Sequence, residues 1–174
     1  PGCTPMSVAP ALSTCLRAQP LGTPLLGTPN TTSSADHQPF HWMSYDEVAD
    51  ASAALSAGLK QMNIPRRASV VIASKNCPEW LITDFACAFG DFMSVGVHTA
   101  WPVAKLSAVL LDTNALAIVV SSAALPHIQQ ALTAHQTKVK LVVVIDHSAT
   151  GAIPSTTDAT DATDATNATN ATNA

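Results

Sequence analysis

Between residues 39 and 147 the apolar positions fall into two kinds of block that alternate along the chain. Four blocks are short, continuous and apolar, most of them rich in β-branched residues: Val70–Ala73, Phe92–Val97, Ala117–Val120 and Leu141–Ile145. Runs of this kind predict strands buried on both faces. The stretch before each carries apolar residues at helical spacing: Val48, Leu55, Leu59 and Met62; Trp80, Leu81, Phe85, Ala88 and Phe89; Val103, Leu106 and Leu110; Leu125, Ile128 and Leu132. Four helices alternating with four strands predict an α/β fold built on a partial, doubly wound parallel sheet. The strand–helix–strand unit within Ser69–Trp101 organises the rest, because a crossover of that length joins parallel strands by a right-handed connection.

Local signals set the boundaries. Ser44-x-x-Glu47 is a capping box, with Met43 and Val48 spaced for a hydrophobic staple across it. The helix that follows runs to about Met62 and stops at Asn63-Ile64-Pro65, since proline disfavours helical geometry in the residue before it. Asn76 is placed to cap the second helix, with Pro78 in its first turn, Glu79 complementing the dipole and Gly90 at its stop. Trp80 is expected to be buried against the sheet. Trp101-Pro102 opens the third helix and Asp112-Thr113-Asn114 closes it. Pro126 lies in the first turn of the fourth.

The flanks have a different texture. Residues 1–38 are rich in Pro, Thr and Ser, and Leu21-Gly22-Thr23-Pro24 recurs as Leu26-Gly27-Thr28-Pro29. Proline at this density removes helix and ladder donors, so a mobile leader without regular structure is expected. Residues 148–174 carry Asp-Ala-Thr and then Asn-Ala-Thr triplets, with no large apolar residue after Ile153. Such a tail cannot offset its ordering entropy by burial and is expected to be disordered. The folded α/β subdomain is thus 39–147. Asn30, Asn167 and Asn170 open glycosylation sequons, read as chance matches in a chain expected in the cytoplasm.

Charged residues make up only 11% of the chain and the net charge is −4. That leaves no basic footprint for nucleic acid. No apolar run reaches the roughly 20 residues of a membrane span. The four cysteines, Cys3, Cys15, Cys77 and Cys87, form no Cys-x-x-Cys. On one helix Cys77 and Cys87 stand about 15 Å apart by the helical rise, too far to bridge. They read as free thiols of a reducing compartment. A first residue of Pro rather than Met is expected of a processed chain or a piece of a longer one.

In open α/β sheets, ligands bind beyond the carboxyl ends of the strands. Those positions hold Ser74, Lys75 and Asn76; His98 and Thr99; Ser121 and Ser122; and Asp146 and His147. His98 and Asp146 have the chemistry of an acid–base pair, but no spacing brings them together. The six histidines lack metal-ligand spacing. Gly-x-Ser-x-Gly, Gly-x-Gly-x-x-Gly and a Walker loop are all absent. The sequence therefore assigns no catalytic, cofactor-binding or metal-binding residue.

Lys75-Asn76-Cys77-Pro78-Glu79-Trp80, upstream of a strand ending at His98-Thr99, resembles the N-terminal region of the AMP-binding, adenylate-forming enzymes, above all the long-chain acyl-CoA synthetases. Met43-Ser44-Tyr45-Asp46-Glu47-Val48 is similar to that family's first core motif and Phe85–His98 to its second. The resemblance spans roughly Phe40 to Asp146. Where the family often has a Gly-Asp turn, this chain has Arg66-Arg67, read as a solvated pair. The family joins a carboxylate to AMP using ATP and Mg²⁺ and passes the acyl group to coenzyme A. The resemblance implies those three cofactors and a long-chain fatty acid for the parent enzyme. It implies the remainder of the adenylate-forming domain, with its later strands, as this chain's partner. It places the chain in the cytoplasm, at most peripheral to an organelle membrane. The family's Ser/Thr/Gly-rich phosphate loop ending in Lys has no counterpart, because Ser148–Thr157 holds one Gly and no Lys follows Lys140. Its Tyr-Gly-x-Thr-Glu segment, ribose-holding Asp and C-terminal Lys are missing too. The chain is expected to supply scaffold and no catalytic residue. The alternative is a non-catalytic flavodoxin-like interaction module.

Overall fold

The structure, a computed structural model, describes residues 8–29 and 40–145. Its centre is the expected alternation of helix and strand: α2 (Tyr45–Gln61), β3 (Ser69–Ala73), α3 (Pro78–Gly90), β4 (Met93–Gly96), α4 (Val103–Asp112), β5 (Ala117–Ser121), α5 (Leu125–Ala134) and β6 (Leu141–Ile145). The four strands form one sheet in the order β4-β3-β5-β6, with every pair parallel. All residues of β3 and β5 are buried.

The alternation of side chains along these strands feeds two cores. Val71, Ala73, Ile118 and Val120 face Leu106 and Leu110 of α4 and Ile128 and Ala131 of α5. On the opposite face Val70, Ala117, Val119 and Ile145 meet Leu59 of α2, Ile64, Cys87 of α3 and Phe92. The edge strands depart from the expectation of cover on both faces. Met93 of β4 is exposed, as are Val142 and Val144 of β6.

The capping box forms as the sequence predicts. Glu47 N–H donates to Ser44 Oγ at 3.4 Å, and Glu47 Oε2 accepts from Ser44 N–H at 2.7 Å. The Ser44 N–H and the Ser44 hydroxyl, both donating to Glu47 Oε2, hold the Glu47 carboxyl below its ordinary range. Val48 and Leu59 are buried as expected, but Met62 caps the helix end and is exposed.

α3 corrects the sequence reading in two places. Its N-cap is Cys77, not Asn76, and no side chain caps it. Its buried face is Ile82, Thr83, Ala86, Cys87 and Gly90, whereas Trp80, Leu81, Phe85, Ala88 and Phe89 are only half-buried. The helix is apolar on nearly every side, so hydrophobic spacing alone could not choose its face. Thr83 is polar yet faces inward because its hydroxyl donates to the Glu79 carbonyl at 2.6 Å. Gly90 settles the orientation: a Cβ there would strike the Phe92 ring and come within 2.8 Å of Ser56 Oγ on α2.

The helix exits are built without glycine. Asn63, Asp91 and Asn114 follow α2, α3 and α4 with φ of 58°, 58° and 48°. Arg67 is also left-handed, at φ 62°. That region is strained for a residue with a Cβ and is the one glycine occupies freely. Arg67 N–H donates to the Asp91 carbonyl, and Arg66 pairs with the Asp91 carboxylate at 2.8 Å. The Arg66–Asp91 pair is solvent-facing, so it is worth little in stability.

The leader is the largest correction. Val8–Arg17 forms helix α1, which packs against α2 and α3 and buries Leu16. Pro24–Pro29 forms β1, antiparallel to β2 (Phe40–Ser44). Thr23 C=O accepts from Tyr45 N–H at 3.0 Å, and Asp46 Oδ1 accepts from Gly22 N–H at 3.2 Å. Proline is tolerated because both prolines of β1 sit at its ends. Residues 1–7, 30–39 and 146–174, with the triplet tail and all three sequons, lie outside the described residues.

Three outcomes follow from this packing. Arg67→Gly should raise stability by about 1 kcal/mol, the strain of a left-handed side chain, read as a higher urea midpoint with unchanged slope. Trp80→Ala should cost less than the roughly 3–5 kcal/mol of a core aromatic, because the ring is half-buried. Burial, aided by the Asp84 carboxylate, pushes the Cys87 thiol from 9.0 up to about 12. Its contribution to stability is therefore full below the unfolded value and is lost as pH rises through about 12. Unfolding at pH 8 to 11 should show a steeper alkaline loss for the native chain than for Cys87→Ala.

Candidate functional site

Parallel strands end on the same side of the sheet, so the loops leaving β3, β4 and β5 must converge there. They enclose two adjoining spaces. The larger, about 750 Å³, is lined by Ser74, Lys75 and Asn76 from the β3–α3 loop, Trp80 from the first turn of α3, Gly96 at the end of β4 and Val97 through Ala100 after it. The smaller, about 380 Å³, shares Ser74, Lys75, Thr99 and Ala100 with it and adds Ser121, Ala123, Ala124 and His127.

Each wall has a local cause. Pro78 starts α3 at once after Cys77, which leaves Ser74–Asn76 as a tight loop above β3. Ser74 Oγ lies 3.4 Å from Cys77 Sγ. Cys77 is half-buried, and burial raises its thiol above the ordinary range, so it is not a thiolate at neutral pH. Trp80 can lean across β4 because Gly96 has no side chain; a Cβ there would stand 3.3 Å from the ring. The loop after β4 is pinned at three points. His98 Nδ1 accepts from Ala100 N–H at 3.1 Å. His127 Nε2 lies 2.6 Å from the Trp101 carbonyl, which makes that nitrogen the donor. Lys105 Nζ sits 3.7 Å from the centre of the Trp101 ring, a cation–π contact.

The strand-end rule thus finds most of the site. Ser74, Lys75, Asn76, His98, Thr99 and Ser121 come together. Ser122 does not join them; its N–H donates to Ile145. Asp146 and His147 lie outside the described residues, so no acid–base pair with His98 is placed. Two lining side chains with aromatic rings, Trp80 and His127, were not expected there. Trp80 was assigned to the core, and His127 was not singled out, although Pro126 in the first turn of α5 puts His127 at the same end of the sheet. Among the described residues the lining offers one lysine, two imidazoles, hydroxyls and an amide, and no carboxylate. Among the described residues no three His, Cys, Asp or Glu gather as a metal site would require.

The sequence and fold match known proteins consistently. A sequence profile described as AMP-binding enzyme matches residues 25–173. A long chain acyl-CoA synthetase 6, peroxisomal, of Arabidopsis thaliana is 42% identical over 59 residues, which is 34% of this chain and 8% of that protein. A long-chain-fatty-acid–CoA ligase 6 of Homo sapiens is 30% identical over 120 residues, 63% of this chain and 16% of that protein. This chain therefore spans a small share of the length of these relatives. The crystal structure of a long-chain-fatty-acid-CoA ligase (FadD1) from Archaeoglobus fulgidus superposes with a TM-score of 0.68 at 16% identity, covering 83% of this chain and 28% of that one. At that identity the superposition establishes the shared fold. With a profile match that runs from the first hairpin strand past the last strand of the sheet, the chain belongs to the AMP-binding enzyme family.

Proposed function

We propose that this chain is the N-terminal scaffold of an ATP-dependent acyl-CoA synthetase acting on long-chain fatty acids. The observation that carries this reading is the profile match through residues 25–173, reinforced by relatives whose names specify long-chain substrates. The parent enzyme joins the fatty carboxylate to AMP with ATP and Mg²⁺ and transfers the acyl group to coenzyme A.

The residues described here do not fit ATP·Mg²⁺. Among the described residues the cleft carries no carboxylate for the metal and a single lysine, Lys75. A triphosphate needs clustered backbone donors and several cations to balance its charge. No catalytic, cofactor-binding or metal role is therefore given to any residue of this chain. Its part is to hold the loops at the carboxyl end of the sheet against the remainder of the adenylate-forming domain. No helix among the described residues is long and apolar enough to cross a membrane. The reading favours the cytoplasm, or the surface of an organelle such as the peroxisome named for the Arabidopsis relative.

The direct test is fatty-acid-dependent exchange of pyrophosphate into ATP. The purified 174-residue chain should give the no-enzyme blank where a full-length synthetase gives exchange. Mixing the chain with the remainder of a synthetase that lacks this region should restore exchange. Activity of the chain alone, abolished by Lys75→Ala or His98→Ala, would refute the scaffold role.

A further inference from the structure

The crevice between the ends of β3 and β5 supports an inference that goes beyond this reading. α3 leads from β3 toward β4 on one face of the sheet, and α5 leads from β5 toward β6 on the other. Neighbouring strands whose connections part in opposite directions make a topological switch point, and open α/β sheets take ligands in the crevice outside it. The smaller space, about 380 Å³, lies there: Ser74 and Lys75 follow β3, and Ser121, Ala123, Ala124 and His127 belong to the exit from β5. Thr99 and Ala100 reach it because the connection from β4 to β5 must pass over β3, which lies between them. Ala73 pairs with Val120, so Ser74 and Ser121 come next in register, about 5 Å apart at the backbone. Both are buried, at 8% and 6% exposure. Ser74 Oγ has the Cys77 thiol beside it. The Ser121 hydroxyl has no hydrogen-bond partner among the described residues, whereas those of Ser52, Thr83 and Ser107 each donate to a carbonyl. A buried hydroxyl that faces a space has given up water without a replacement, and a ligand with an acceptor supplies one.

We propose that this crevice binds a single tetrahedral oxyanion of the phosphate class. Its donors come from three sides: Ser74 and Ser121 at the strand ends, Thr99 on the crossing loop and the exposed Lys75 at the rim. A planar carboxylate presents two oxygens and leaves part of that set idle, whereas a tetrahedral group can meet all of it. α5 starts at Leu125, directly after Ala124 of the lining, so the positive end of its dipole adds to the field of Lys75. Among the described residues no carboxylate lines the crevice to oppose an anion. His127 serves as a wall, because its Nε2 is engaged by the Trp101 carbonyl. One ammonium and three hydroxyls are too few for a triphosphate, but they suit one phosphate or the end of a phosphate monoester.

The test is a titration of inorganic phosphate into the 174-residue chain at constant ionic strength. Phosphate up to about 20 mM should move the amide signals of residues 74–76 and 121–124 with a midpoint of about 1 mM, the strength of one charge-assisted contact and a few hydroxyl bonds. Ser121→Ala, which keeps the shape of the crevice, should weaken binding about fivefold, and Lys75→Ala about tenfold. Lys138→Ala, just before β6 and at the other end of the sheet, should leave it unchanged. Amide protection at β3 and β5 checks that each variant is folded. Glycerol phosphate separates the two sources: binding equal to that of inorganic phosphate assigns the site to a phosphorylated ligand, and exclusion assigns it to the free ion, the proposal standing in both cases. No ATP or fatty acid enters these titrations, so their result is independent of the scaffold reading. A folded chain whose signals stay still throughout overturns the proposal. Binding indifferent to Ser121→Ala and Lys75→Ala, or acetate bound as tightly as phosphate, overturns it as well.

Discussion

Every residue of β3 and β5 is shut away from water, and that two-sided burial governs the rest of the molecule. A strand with apolar side chains above and below needs helices on both faces at once. α4 and α5 meet one demand; α2 and α3 meet the other. Because the strands are parallel, each must be reached by a crossover that returns to the same starting end. The loops therefore gather at the opposite end, whatever they contain, and a cleft there is a by-product of burying β3 and β5.

The helix pair on one face shows how closely this cover fits. α2 and α3 approach at Gly90, where no side chain could be admitted without displacing Phe92 or Ser56. Small buried residues, Ala49, Ser52, Ser56 and Ala86, leave room for that approach. Ser52 satisfies its hydroxyl on the Val48 carbonyl, while Ser56 Oγ is buried with no hydrogen-bond partner among the described residues. Close backbone approach here is gained at the cost of one orphaned hydroxyl. α1, from the proline-rich segment, then packs across both helices.

Legibility in the sequence followed the sharpness of the local physics. β3, β5 and β6 could be read because continuous β-branched runs have few other uses, and α2 because its capping box is a reciprocal pair of hydrogen bonds. The face of α3 could not be read, since apolar residues on nearly all sides leave tertiary packing to choose and Thr83 hides its polarity in its own helix. α1 and β1 were missed because proline density was weighed over position, and prolines at strand ends cost nothing. In the cleft, the strand-end rule found Ser74, Lys75, Asn76, His98, Thr99 and Ser121. Trp80 escaped because its placement depends on the absence of a side chain at Gly96, one strand away.

The two ends of the sheet are consequently under different kinds of constraint. At the entry end, Asn63, Arg67, Asp91 and Asn114 hold left-handed backbone, and what matters about each is the angle its main chain can tolerate. At the exit end, Ser74, Lys75, His98 and Thr99 belong to loops whose backbone is ordinary, and what matters is the group each presents. Divergence among copies of this fold would then run along two separate channels. One end can drift among residues that share a conformation while their chemistry changes freely. The other can drift in chemistry, and so acquire new ligands, without disturbing the architecture beneath it.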